Sequence, residues 1–491
     1  MQTAHLSRLY RSSLGLFTDL YQLTMAYGYW KSGMHQQEAV FNLFYRKNPF
    51  KGKYAISGGL ALAIDYLQTF KFSSADLAYL GSLKGSNGLP LFEEAFLSYL
   101  QGMSFECDID AIPEGTIVFP NQPLVRVKGP IIQAQLIETA LLNIINFSTL
   151  ITTKAARIVQ AAAGDDVLEF GLRRAQGIDG GLTASRAAYI GGCIGTSNVL
   201  AGQLYGIPVK GTHAHSWVMG FEHEYAAFEA YAGALPNNCI FLVDTYDTIE
   251  GIRTAIEVGY GLRDRGFEML GIRLDSGNLT TLSQQARSLL DEAGFQQAVI
   301  VASNDLDEYK IAQLKREGAA IDVWGVGTRL VTAADQAALG GVYKLSAIKE
   351  GGNWSYRIKQ SEERIKVSNP GFLQVYRTYD AQGRPLGDRI EDEWLGSSSG
   401  NMVDAKSQVE ISFSNKNSEK LLLPIFRNGN LVYNLPTINA IRAHCLAQQA
   451  LFSKVDLRDY PLGLESKLFQ VKQQLLDDIN FRTNGMVSNA T

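Results

Sequence analysis

The chain is poor in most of the features that classify a protein quickly. Its 491 residues include four cysteines, Cys107, Cys193, Cys239 and Cys445, widely separated and with no CxxC pair. That spacing gives no zinc motif and suits a reducing compartment. Histidine is scarce too, at six residues. No run approaches the ~18 apolar residues of a membrane helix, and the opening MQTAHLSRLYRSS lacks the apolar core of a signal peptide. Charged residues make up 19% of the chain and nearly cancel, to a formal −4, so no basic excess marks a nucleic-acid binder. Low-complexity segments are absent. What remains is an ordinary globular composition, 46% hydrophobic, long enough for roughly three domains. The expectation is a cytoplasmic protein with neither nucleic acid nor membrane as partner.

Residues 14–35 predict a helix opening at Thr18 or Asp19, with aromatic and aliphatic side chains at helical spacing. The segment 38–130 mixes short apolar runs with turn signals, and IPEGTIVFPNQPLVRVKGP (112–130) alternates like paired strands. Residues 131–163 predict a long apolar helix ending at Gly164. A repeating beat of apolar run, polar loop and helix follows. The runs are VLEFG (167–171), a weak TSNVLAG (196–202), IPVKG (207–211), CIFLVD (239–244), MLGIRLD (269–275), AVIVASND (298–305) and IDVWGVG (321–327). Strands and helices alternating at this spacing give an α/β class with parallel strands, in a barrel or an open sheet. Polar groups gather just after each run, which favours a barrel with one functional rim. The beat fades near residue 345, and residues 462–483 predict a terminal amphipathic helix. The expected domains are therefore a strand-rich 1–130, a barrel over 131–345 and a C-terminal region over 346–491, partly packing with the first.

Two of the six histidines fall in one loop, GTHAHSW. At i, i+2 on an extended segment, His213 and His215 would share a face. They could be structural imidazoles, a metal pair, or one acid/base or nucleophilic histidine beside a carboxylate. A metal cage needs more ligands, and His5, His35, His223 and His444 follow no expected barrel strand. Carboxylates end or follow the strands at Asp244, Asp247, Asp275 and Asp305. Each alone reads as a helix cap; four together, with Arg173, Arg174 and Arg273, suit a phosphate substrate bound with Mg²⁺. In GVGTRL (325–330), Gly325 and Gly327 let backbone N–H groups approach a phosphate, and Thr328 adds a hydroxyl at a helix start.

TDLYQLTMAYGYW (18–30), FGLRRAQG (170–177), GGLTAS (180–185), SNVLAGQLYGIPVKGTHAHS (197–216), VDTYDT (243–248), RLDSG (273–277) and GVGT (325–328) together resemble the nicotinate phosphoribosyltransferases. The resemblance spans about the first 330 residues, in the family's order. It implies the type II phosphoribosyltransferase fold, an irregular α/β barrel beside a strand-rich domain, and a homodimer with shared active sites. The implied reaction is nicotinate plus phosphoribosyl pyrophosphate giving nicotinate mononucleotide and pyrophosphate, in NAD salvage, with ATP as co-substrate and Mg²⁺ as cofactor. It further implies that ATP transiently phosphorylates His215 while Asp244 orients the imidazole. Asp244 and Asp275 are the implied metal carboxylates, and Arg273 and Asp275 hold phosphoribosyl pyrophosphate. Gly325, Gly327 and Thr328 seat the 5′-phosphate. Phe170 and, from the partner subunit, Tyr21 sandwich the pyridine, with Arg173 near its carboxylate. Asp19 is also implied at the substrate. Ser197 stands where nicotinamide-using relatives carry Asp, and His213 receives no catalytic role. The rival readings are a sister activity on nicotinamide or quinolinate, a metal-dependent barrel hydrolase built on HxH, and a non-catalytic scaffold.

Overall fold

The computed structural model describes residues 13–488 other than 362, 364–365, 397–399 and 414–415; His5 lies outside them. Contacts divide the chain into two units where the sequence suggested three successive segments. One comprises residues up to Leu150 together with those from Ala338 onward, and the other is Ile151–Ala337. The boundary falls within a single helix, Glu138–Ala162. Among the described residues no helix is long and apolar enough to cross a membrane.

In the first unit the helix Leu20–Lys31 begins after Asp19, as expected, although the Asp19 carboxylate caps nothing and accepts from the Thr139 hydroxyl at 2.8 Å. Behind it lies a seven-stranded antiparallel sheet. Within it the strand Glu38–Tyr45 pairs with Val125–Pro130 on one side and with Gly341–Glu350 on the other. Leu423–Arg427 joins the same sheet beside Asp108–Ala111. The C-terminal region thus completes the N-terminal sheet. A six-stranded sheet holds the rest of that region. Here Leu462–Glu465 is a strand, and the terminal helix starts only at Ser466. The alternation of buried Gly463 and Glu465 with half-buried Leu462 and Leu464 explains why it pairs rather than coils.

The second unit holds six parallel strands in the order Gly195–Thr196, Asp166–Glu169, Val323–Val326, Val299–Ala302, Gly271–Leu274, Ile240–Leu242. Most strand residues are buried, as expected where helices cover the outer face. Thr196 also bridges to Val209, so the 207–211 run lies next to Gly195–Thr196. Each strand therefore sits beside its sequence neighbour, and the last pairs with the first. That is a barrel; among the described residues its unpaired edge lies between the 207–211 run and Ile240–Leu242. The weak run 196–202 is mostly helix, because Asn198 caps Val199–Tyr205 by accepting from the Ala201 N–H.

Short turns join strands to helices, and their polar residues make the caps. Asp247 accepts from the Glu250 N–H at 3.0 Å, Asn278 from Thr281 at 3.2 Å and Asp307 from Lys310 at 2.8 Å. Each cap satisfies an orphan helix donor and is worth about 1 kcal/mol. For Asp247 the plain capping role is the one observed.

Candidate active site

The C-terminal ends of four adjacent strands hold a connected polar group. Arg273, on Gly271–Leu274, is its hub. Its Nε donates to the Ser303 hydroxyl at 2.9 Å, Nη1 to the Thr212 hydroxyl at 3.1 Å and Nη2 to Asp275 Oδ1 at 3.0 Å. Ser303 also donates to Asp275 Oδ1. Three anchors on three strand ends fix the guanidinium plane and leave donors on both terminal nitrogens for an anion. The Phe170 ring lies 5.7 Å from the same guanidinium.

His215 opens the short helix His215–Val218. Its Nδ1 lies 3.1 Å from the Thr245 hydroxyl, and its Nε2 lies 3.9 Å from Asp275 Oδ2. Asp244, expected to orient this ring, makes no hydrogen bond to it here. Asp244 Oδ2 instead accepts from the Asp275 N–H at 2.8 Å and the Ser276 hydroxyl at 2.6 Å. It therefore shapes the loop that carries Asp275. Its Oδ1 is buried and, among the described residues, has no hydrogen-bond partner; Glu224 Oε1 shares that condition. Burial, then the Asp244 and Asp247 charges, push the Glu224 carboxyl up to about 7.

Two histidines do not make a metal pair here. His213 is 8% exposed, and its Nε2 accepts from the Leu242 N–H at 3.2 Å. Burial, against the opposing pull of the Ala214 carbonyl, holds this imidazole down to about 4. With that acceptor spent on backbone, the hydrolase reading loses its first ligand. The carboxylates fit an oxygen-seeking Mg²⁺ better. Asp244 has an orphaned buried oxygen, Asp275 directs Oδ2 toward the imidazole, and Mg²⁺ takes only one or two carboxylates beside water and phosphate.

Phe170 and Ser197 follow paired strand residues, Glu169↔Thr196, and so emerge side by side. The Ser197 N–H donates to the Glu169 carbonyl at 2.9 Å. Below them the buried Glu169 carboxylate accepts from Ser185 at 2.8 Å, Thr196 at 2.5 Å and the Gly171 N–H. The glycines of GVGT have a second reason to be glycine. A Cβ on Gly325 would come within 2.7 Å of the Phe170 ring, and one on Gly327 within 3.2 Å of the Phe170 carbonyl oxygen. Gly327 immediately precedes the short helix Thr328–Val331. Arg173 and Arg174 lie exposed on a 3-10 turn after Phe170. Asp305 is also exposed, 3.6 Å from Arg329 and apart from the Arg273 group. Asn304 and Asp305 both have positive φ, 102° and 47°. Such backbone costs of order 1–3 kcal/mol and clusters at functional loops. Asp19 and Tyr21 belong to the other unit, where Tyr21 is exposed.

Sequence patterns missed Thr212, Thr245, Ser276, Ser303, Glu169 and Glu224. The first four sit inside or beside the motifs already quoted, and the available signal was a hydroxyl within two residues of a histidine or an aspartate.

Comparison with known proteins gives these residues a context. Residues 16–146 match the nicotinate phosphoribosyltransferase N-terminal domain, 166–365 the nicotinate phosphoribosyltransferase family and 373–472 its C-terminal domain. The chain is 44% identical over 489 residues to nicotinate phosphoribosyltransferase of Bacillus subtilis, covering 96% of each. It is 38% identical to that of Dictyostelium discoideum over 530 residues, covering 94% of this chain and 88% of the relative. The crystal structure of human nicotinic acid phosphoribosyltransferase superposes with a TM-score of 0.81 at 32% identity, over 93% of this chain and 99% of the human one. A Pyrococcus furiosus nicotinate-nucleotide pyrophosphorylase, 22% identical with a TM-score of 0.69, shares the fold over 93% of this chain and 99% of its own. An α/β barrel and a strand-rich unit are the parts of the type II phosphoribosyltransferase fold, and the chain belongs to the nicotinate phosphoribosyltransferase family.

Proposed function

We propose that this chain joins nicotinate to phosphoribosyl pyrophosphate, forming nicotinate mononucleotide and pyrophosphate for NAD salvage, with ATP hydrolysis coupled through a phosphorylated His215. The observation that carries the reading is Arg273, immobilised by Thr212, Asp275 and Ser303 near the Phe170 ring, on the same Asp275 carboxylate that His215 approaches. An immobilised cation next to an aromatic face suits a phosphorylated sugar meeting a flat heteroaromatic acid.

In the transfer, the pyridine nitrogen forms a bond to the anomeric carbon as that carbon's bond to pyrophosphate breaks. Charge develops on the leaving oxygens, and Arg273 is the group held ready for it. Catalysis of this kind is positioning and electrostatics, with no reorganisation at the moment of reaction. Mg²⁺, held by Asp275 and Asp244, supplies further charge neutralisation when bound. Phe170 offers a face for the ring. Ser197, emerging beside it, offers a hydroxyl that donates to the nicotinate carboxylate, and Arg173 stands on the same side of the sequence motif. Gly325, Gly327 and Thr328 receive the 5′-phosphate.

The test is incubation with phosphoribosyl pyrophosphate, Mg²⁺, ATP and nicotinate, nicotinamide or quinolinate in turn, followed by product identification. Nicotinate mononucleotide is expected, and a product from either other pyridine alone would sink the reading. The same assay run on Ser197→Asp tests substrate choice. A carboxylate placed against the substrate's own should lower nicotinate kcat/KM by at least about a hundredfold, since a close like-charge contact costs several kcal/mol. An unchanged nicotinate-to-nicotinamide ratio would show that Ser197 does not discriminate.

A homodimer with shared active sites fits the exposed apolar side chains. After the barrel strands come Leu172, Ile178, Val199 and Met219, all exposed. On the first helix of the other unit Leu20, Tyr21 and Met25 are exposed as well. Exposed apolar side chains of this kind are what a subunit contact would cover. If Tyr21 completes the partner's pocket, Tyr21→Ala and His215→Ala, each inactive alone, should regain up to about a quarter of wild-type turnover when mixed, the statistical yield of one intact site among exchanged subunits. Proven subunit exchange without recovered turnover would remove Tyr21 from the shared site.

A further inference from the structure

His213 is the one member of the HxH motif that the reaction leaves unused, and it occupies the one open edge of the barrel. Strand N–H groups alternate between the two edges. The Val243 N–H points to the Gly271–Leu274 strand, donating to the Arg273 carbonyl at 3.2 Å. The Leu242 N–H must therefore point the other way, toward the 207–211 run. That run pairs on its far side, where the Lys210 N–H donates to the Thr196 carbonyl at 3.0 Å. Among the described residues no ladder joins it to Ile240–Leu242. A buried strand amide would be left without a partner there, and such orphans are rare in folded proteins. The His213 imidazole takes the bond instead.

We propose that His213 is a positioning residue, replacing the missing strand hydrogen bond at the open seam of the barrel and so holding Thr212 against Arg273 and His215 beside Thr245. Because an amide only donates, Nε2 must carry a lone pair and the proton must sit on Nδ1, which lies 3.5 Å from the Ala214 carbonyl oxygen. The ring is wedged among Tyr231, Phe228 and Phe241 at centroid distances of 5.0, 5.8 and 6.4 Å. These rings keep water from the bond and keep the imidazole neutral. The residues on either side of His213 then have fixed places. Thr212 meets Arg273 at 3.1 Å, and two residues on, His215 meets Thr245 at 3.1 Å. The seam needs a group that is large and aromatic on its faces yet accepts a hydrogen bond at its tip, and histidine is both.

The effect on catalysis rests on the role given to Arg273 above, whereas the hydrogen bond itself does not. The first measurement is ¹⁵N NMR of the histidine rings in the full-length protein near pH 6. His213 should appear as a neutral ring, protonated on Nδ1 and bare on Nε2; a ring protonated on Nε2 overturns the proposal. The second compares His213→Phe, which keeps ring volume and loses the acceptor, with His213→Gln, whose side-chain oxygen reaches toward the Nε2 position. In His213→Phe the KM for phosphoribosyl pyrophosphate should rise about tenfold and Leu242 amide exchange should quicken by a similar factor, the scale of one unmade hydrogen bond. His213→Gln should recover most of both. A residue that only fills space predicts the reverse order, with the apolar ring tolerated and the amide not. Wild-type KM and exchange in His213→Phe would refute the positioning role. If His213→Phe does not fold, the ring spectrum and the behaviour of His213→Gln still decide. Should Arg273→Ala leave the KM unchanged, the substrate reading fails, and amide exchange alone continues to report on the seam.

Discussion

Arg273→Ala is expected to lower kcat/KM for phosphoribosyl pyrophosphate by about a hundredfold to a thousandfold, the range found when a preorganised donor to developing charge is removed. Two losses add. The anion loses its fixed cation, and Asp275 loses the partner that offsets its charge, so the pocket becomes more negative where the substrate brings phosphates. Arg273→Lys should recover little. A single ammonium cannot span Thr212, Ser303 and Asp275 as the planar fork does. Stability should fall by only about 1 kcal/mol or less, because the pair is partly exposed and screened. Steady-state kinetics with a melting curve on the same sample separate the two effects. Full activity in a folded Arg273→Ala variant would place the phosphate site elsewhere on the barrel rim.

How much of this was legible in the sequence follows from the range of each interaction. The barrel beat is local: an apolar strand, a capped turn and an amphipathic helix each lie within about twenty residues, and periodicity finds them. Its failures were local conflicts. TSNVLAG is apolar enough for a strand, but Asn198 caps a helix there. Leu462–Glu465 was absorbed into the following helix because its apolar residues match helical spacing, whereas pairing with Pro385–Asp392 and Asn401–Asp404 decides it. Long-range pairing left no trace at all. Nothing near Ala39 announces Ile348 as its neighbour, so the expected partial packing of the C-terminal region with the N-terminal one carried no strand register. In the site, residue types were visible and partners were not. VDTYD shows a carboxylate and a hydroxyl side by side, and nothing in the segment says that the Thr245 hydroxyl is the one hydrogen-bonded to His215. Gly325 reads in the sequence as room for a phosphate; that a side chain there would also strike the Phe170 ring, from another strand, is a second constraint the sequence does not show.

His215→Ala is expected to abolish transfer of acid-labile, base-stable label from γ-labelled ATP to the protein, and with it any stimulation of turnover by ATP. A nitrogen can be predicted too. Thr245 stands at Nδ1; in the tautomer that donates from Nδ1 to the hydroxyl oxygen, Nε2 keeps its lone pair and is the nucleophile. Nε2 would attack the γ-phosphorus, forming the N–P bond as the bond to the ADP oxygen breaks. That nitrogen lies 3.9 Å from Asp275 Oδ2, so the new phosphoryl group, bearing about −1.5 to −2 charges by analogy with phosphoesters, arrives beside a carboxylate. The repulsion has to be offset; Arg273, paired with Asp275, is a cation held there, and the proposed Mg²⁺ would supply a second. This predicts a link between the two chemistries. The phosphorylated state should bind phosphoribosyl pyrophosphate with Mg²⁺ more tightly than the unphosphorylated one and lose its phosphate faster once Mg²⁺ is chelated. Thr245→Val should slow labelling about tenfold without abolishing it, since it removes one orienting hydrogen bond. Heteronuclear ³¹P–¹H correlation on the labelled protein assigns the nitrogen directly. Label that persists in His215→Ala would assign the phosphoryl acceptor to another residue, and phosphate found on Nδ1 would mean that the Thr245 contact opens before the transfer.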